Sequence, residues 1–164
     1  MLLGSINIYI QIMPTNLETL VEKQVEMLNE GKVLEALEEF YAEDCQMYDN
    51  DVLFSQNKVE SIQKQEKFIK PCTAIEGKIS KHIIIDDSIS VLENQTSFTH
   101  PEYGVNKING LHIQHWADGL IVKEHYYRDE MLKRKSALWF EEAGGKPPSR
   151  FSRQVSLSHN SNYR

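Results

Sequence analysis

Four side chains in this sequence have the chemistry of proton transfer: Asp49, Glu124, His115 and Tyr126. Asp49 follows a strand-like run at residues 45–48 and opens the turn Asp49-Asn50-Asp51. A carboxylate that removes a proton beside a carbonyl must be partly desolvated, so that its pKa moves toward neutrality. Aspartate also occupies such turns because its side chain caps local amides, and the sequence leaves both readings open.

The other three residues depend on a hairpin. Asp118-Gly119 separates two alternating runs, residues 103–117 and 120–128, and has the sequence of a two-residue type I′ turn. With Ala117 opposite Leu120, His115 faces Val122, Ile113 faces Glu124 and Leu111 faces Tyr126; a bulge would shift these pairs. The face holding Leu111, Ile113, Val122 and Tyr126 is mostly apolar, with Asn109, His115 and Glu124 as its polar groups. That is the composition of a ligand pocket. If this face is interior, Glu124 and His115 form an acid/base pair, because a buried carboxylate needs a partner or a raised pKa. If it is exposed, Glu124 is simply solvated. The opposite face carries His112, Gln114, Trp116, His125 and Tyr127 and is read as the interface of a homodimer, with His112 facing His125. Two facing imidazoles also suit a metal, but that face supplies no third ligand, so no metal site is expected.

The elements that must position these groups change character at residue 73. Before it the pattern is helical. Thr15 and Glu18 have capping-box spacing, and Leu17, Leu20, Val21, Val25 and Leu28 recur at three- and four-residue intervals up to Gly31. A second amphipathic stretch carries Val33, Leu34, Leu37, Phe40 and Tyr41 on one stripe. Its acidic residues, Glu35, Glu38 and Glu39, lie opposite and belong to a solvated face. Residues 57–72 read as a third helix capped by Asn57, with Pro71 at its end. After residue 73 the apolar period is two: Ile75, Ile79, Ile83 and Ile85, then Ile89 and Val91, then the hairpin. Three helices interrupted by one short strand and followed by four long antiparallel strands predict an α+β fold, a cone-shaped half-barrel with helices on a curved, mainly antiparallel sheet.

The 164 residues, 40% hydrophobic and 26% charged, fit one compact domain. A net charge of -6 disfavours a nucleic-acid surface. Cys45 and Cys72 form no metal-binding or disulfide pattern and fit reduced thiols in a cytoplasmic protein. Residues 1–14 lack charge but also lack a basic start, a cleavage signature or the length to span a bilayer; they are read as a non-native or disordered extension, with Met13 as the natural start. Residues 142–164 carry Lys146, Arg150, Arg153 and Arg164 without an acid and are read as a disordered basic tail. The domain is therefore expected to span residues 15–141.

Met27-Leu-Asn-Glu-Gly31, Phe40-Tyr-Ala-Glu-Asp44, Trp116-Ala-Asp-Gly-Leu-Ile121 and Tyr126-Tyr-Arg-Asp129, in that order, resemble the nuclear transport factor 2-like superfamily and its SnoaL-like polyketide cyclase branch. The resemblance implies a pocket between helices and sheet and dimers through the sheet, but no single reaction. Relatives resembling ketosteroid isomerase imply a general base at Asp49, while Gln24 and His112 stand where those relatives have their two oxyanion donors, a tyrosine and an aspartic acid, so one of the three positions is kept. Relatives resembling limonene epoxide hydrolase imply an aspartate where Tyr126 stands, two residues after Glu124. The expectation is a binder of a small apolar or carbonyl-containing molecule, acting without cofactor as an isomerase, cyclase or dehydratase. The alternative is a non-catalytic ligand-binding or dimerisation module.

Overall fold

The computed structural model describes residues 16–129 and 131. The readings of residues 1–14, of 142–164 and of the end of the domain lie outside them. The elements run α1 (Leu17–Asn29), α2 (Val33–Phe40), β1 (Tyr41–Asp49), β2 (Val52–Ser55), α3 (Lys58–Ile69), β3 (Ala74–Ile85), β4 (Ile89–His100), β5 (Gly104–Ala117) and β6 (Leu120–Arg128).

Local chemistry sets the helix ends. Asn16, rather than Thr15, caps α1, its side chain accepting from the Glu18 amide at 3.2 Å. Gly31, at φ +78°, ends the helix: its amide bonds the Leu28 carbonyl and the Lys32 amide bonds that of Met27, the two bonds of a Schellman motif. Asn57 caps α3 through the Glu60 amide at 2.9 Å.

Among the described residues the fold is α+β, with three helices on a six-stranded sheet of order β2-β1-β6-β5-β4-β3. Every neighbouring pair is antiparallel except β1 and β6, which run parallel, so the sheet is mixed and unclosed. The strand expected at residues 45–48 is longer and continues through a hairpin into β2. Asn50 and Asp51 both adopt positive φ there, as Asp118 and Gly119 do in the β5–β6 turn.

Two bulges decide which residues face the helices. In β3 the register shifts between Ile79 and Lys81, so Ile79 and Ile84 pack on the core while Ile83 and Ile85 point outward, contrary to a single isoleucine face. In β6, Trp116 pairs with Ile121 but His115 pairs with Lys123, which makes Val122 the extra residue. The core between helices and sheet contains Val21, Leu37, Phe40, Leu92, Trp116 and Ile121, with Phe40 and Trp116 edge to face at 6.2 Å.

Candidate active site on the inner face of the sheet

The bulge at Val122 rotates the hairpin pairing by one residue. His112 faces Tyr126 and Gln114 faces Glu124, while His115 pairs with Lys123 and Ile113 with His125. Burial follows: Gln114, Trp116, Ile121 and Glu124 are buried against the helices. The inner face of the two strands is thus His112, Gln114 and Trp116 with Ile121, Glu124 and Tyr126. The expected pairing of Glu124 with His115 does not form, because His115 and Glu124 lie on opposite faces. The expected dimer face is corrected likewise, since His112, Gln114 and Trp116 point inward while His125 and Tyr127 point outward.

A cavity of about 240 Å³ lies between this face and the helices. Leu28, Val33, Leu37, Phe68, Ile69 and Phe98 are among its apolar walls. Most of its polar groups lie on the strands, Tyr41, Lys78, Asn94, Thr96, His112, Gln114, Glu124 and Tyr126, while Gln65 comes from α3.

Glu124, 1% exposed, organises them. The Tyr41 hydroxyl donates to its Oε2 at 2.5 Å and the Gln114 amide at 2.7 Å, while His112 Nδ1 lies 3.0 Å from Oε1. Burial alone would raise the carboxyl pKa, but the charge and hydrogen bond of His112, with the bonds from Tyr41 and Gln114, bring it below its ordinary value. The Tyr41 phenol is pushed well above its usual value by burial and by Glu124, so it stays a donor. Burial and Glu124 also push the Cys45 thiol up to about 12.

A carboxylate whose pKa falls on folding stabilises the native state fully above its unfolded value, about 4.3, and loses that contribution as pH falls through the folded value. The stability gap between the native chain and Glu124→Gln is therefore expected to narrow as pH drops below about 4. Urea unfolding of both at stepped pH measures it.

His112 is the chemically open member. Its Nδ1 is committed to Glu124 and its ring packs on Tyr126 at 4.5 Å between centroids. Among the described residues its Nε2 has no hydrogen-bond partner, and the residue lines the cavity. Burial pushes the Tyr126 phenol up to about 12, keeping it protonated beside the imidazole.

Gly110 makes room for that phenol. A Cβ there would lie 2.5 Å from Tyr126 Oη and 2.6 Å from its Cζ. Gly110→Ala is expected to drive the ring from the cavity wall and cost about 1–3 kcal/mol, read by urea unfolding.

Asp49 is placed elsewhere. It pairs with Tyr126 in register, yet its carboxylate sits at the sheet rim, its side chain 36% exposed. Arg128 Nε and Nη2 hold its two oxygens at 3.1 and 3.0 Å. It is not among the residues that line the cavity. Of the four expected site residues, the structure brings Glu124 and Tyr126 together and leaves Asp49 and His115 outside.

No family model and no curated protein sequence matches the chain. Solved structures match it well. A candidate SnoaL-like polyketide cyclase from Mesorhizobium loti superposes with a TM-score of 0.59 at 17% identity, over 67% of this chain and 97% of that one. An NTF2-like protein of unknown function from Burkholderia pseudomallei gives 0.58 at 13% identity, over 70% and 92%. PrhC from Penicillium brasilianum gives 0.55 at 17% identity, over 80% and 91%. The chain has the nuclear transport factor 2-like fold. At these identities the likeness shows the fold alone, so the chemistry of this nuclear transport factor 2-like domain must come from its own cavity.

The hairpin turn was legible, but Gln114 and Tyr41 escaped as site residues, and His112 entered only as the residue at an oxyanion-donor position, because the outer face of β5 is the more apolar one. The signal that points inward is Trp116 on the other face, a side chain too large to leave in solvent cheaply.

Proposed function

We propose that the cavity binds a small, largely apolar carbonyl compound and that His112, held by Glu124, moves a proton on it. The observation that carries this reading is the cavity-lining imidazole, one nitrogen fixed by a buried carboxylate and the other without a hydrogen-bond partner among the described residues. A base oriented by a third group is the recurrent arrangement for proton transfer.

In the proposed reaction, Nε2 takes a proton from the carbon beside the carbonyl, and negative charge collects on the substrate oxygen. The Tyr126 hydroxyl donates to that oxygen. The imidazolium, stabilised by Glu124, then returns the proton to a different atom. Isomerisation, aldol-type cyclisation and dehydration all use these steps, and none needs a cofactor. The candidate polyketide cyclases that share the fold support a carbonyl substrate. Glu124 is in this reading a positioning residue, and the base assigned to Asp49 passes to His112.

A panel of cyclic ketones in deuterium oxide tests the reading. Exchange of α-protons above the buffer rate for ketones that bind the cavity is expected. Binding without exchange would instead favour the non-catalytic ligand-binding module, which the already saturated bonding of Glu124 also suits.

Among the described residues no helix is long and apolar enough to cross a membrane. The free thiols Cys45 and Cys72 support the proposed cytoplasmic setting. The proposed homodimer moves to the outer face, where Ile83 and Ile85 are exposed beside Val91 and Ile113.

A further inference from the structure

Behind Glu124 the hydrogen bonds continue away from the cavity. Gln114 Oε1 accepts from the Ser90 hydroxyl at 2.8 Å, and Ser90 Oγ accepts from Trp116 Nε1 at 2.9 Å. Ser90, Gln114 and Trp116 are all buried, and neither Ser90 nor Trp116 lines the cavity.

The order of donors along this chain is not free. An indole N–H only donates, so Ser90 Oγ receives it and turns its own proton to its other partner among the described residues, Gln114 Oε1. That acceptor fixes which end of the Gln114 amide points forward, because an amide has one oxygen and one nitrogen. The nitrogen therefore faces Glu124 Oε2 and the Tyr41 hydroxyl, at 2.7 and 3.2 Å. Tyr41, receiving from Gln114, passes its proton to Glu124. Every proton in the chain is directed at one carboxylate.

We propose that Trp116 and Ser90 are positioning residues that set the direction of this relay and thereby hold Glu124 as the ionised partner of His112. The alternative amide orientation would place Gln114 Oε1 against Glu124. There an anion is repelled, whereas a protonated acid donates to the oxygen, so reversal of the amide and protonation of Glu124 go together. The titratable groups facing Glu124 are Tyr41 and Cys45 from β1 and His112 from β5, with Tyr126 of its own strand packed on His112. Lys78 of β3 lines the same cavity, but the charge and bonds that lower the Glu124 pKa come from His112, Tyr41 and Gln114, so the relay and His112 together supply the stabilisation of the anion. The inference deepens the proposed function, but the protonation of Glu124 can be read without a substrate.

The experiment is a pH titration of the Glu124 side-chain carboxyl by carbon-13 NMR on the full chain, its resonance assigned by its loss in Glu124→Gln. Trp116→Phe removes the indole donor and keeps an aromatic ring against Phe40. Ser90→Ala removes the middle hydroxyl, and Ser90→Thr keeps it. The expected result is a midpoint raised by about one pH unit in Trp116→Phe and Ser90→Ala, and near the native value in Ser90→Thr. An unchanged midpoint in a folded Trp116→Phe or Ser90→Ala chain would overturn the proposal. Should Trp116→Phe fail to fold, Ser90→Ala decides alone. Raised midpoints without ketone exchange would leave the relay standing and end the proton-transfer reading.

Discussion

Glu124→Leu is expected to lower the stability of the fold by about 3–5 kcal/mol, the largest single-residue effect on stability predicted for the site. Leucine fills much of the same volume, so the loss comes from what remains. The Tyr41 hydroxyl and the Gln114 amide are buried and would face an apolar side chain with no acceptor, and His112 Nδ1 would lose the carboxylate oxygen 3.0 Å away. Each stranded donor carries its own desolvation cost. Asp49→Asn makes the contrast. That carboxylate meets Arg128, but both side chains are about one-third exposed and water can replace the partner. Its loss is expected to cost less than about 1 kcal/mol. Urea unfolding of the two variants measures the difference, and equal effects would show that the inner network contributes no more than the rim ion pair.

His112→Phe is expected to reduce proton exchange by about 10²- to 10⁴-fold while leaving the cavity able to bind. Phenylalanine keeps a flat ring against Tyr126 and removes both nitrogens, separating the imidazole's chemistry from its packing. A base acts in the transition state, so turnover should fall far more than ketone affinity. Exchange rates and ligand titrations on the same preparation give the two quantities. A matching loss of affinity and rate would make His112 a wall of the cavity rather than its base.

Much of the fold was legible in local chemistry. The cap at Asn57, the Gly31 helix end and the Asp118-Gly119 turn act over a few residues that sit together in the sequence, whereas the α1 cap falls on Asn16, one residue after the expected Thr15. The α+β order followed from the change of apolar period at residue 73. The site was less legible because one inserted residue decides it. Val122 is the extra member of β6, and beyond it every residue of β6 is paired one position later than simple alternation allows. Since side chains alternate between faces, that step exchanges the partners of Glu124, giving it Gln114 and His112 in place of Ile113 and His115. Ser80 has the same effect in β3, where the isoleucines at 83 and 85 face outward. The parallel contact of β1 with β6 joins strands far apart in the chain, and it brings Tyr41 to Glu124 across 83 residues. No local pattern encodes that meeting. Asp49 was placed correctly at the end of a strand, but its partner, Arg128, lies on that same distant strand.

Nitrogen-15 NMR of the histidine rings, recorded before and after a cyclic ketone is added, tests the central claim most directly. His112 Nδ1 is expected to carry its proton toward Glu124 and its Nε2 resonance alone to respond to the ketone, while His115 and His125 on the outer face keep their shifts. A response at His115 or His125 with His112 unchanged would contradict it, placing the ligand on the other side of the sheet.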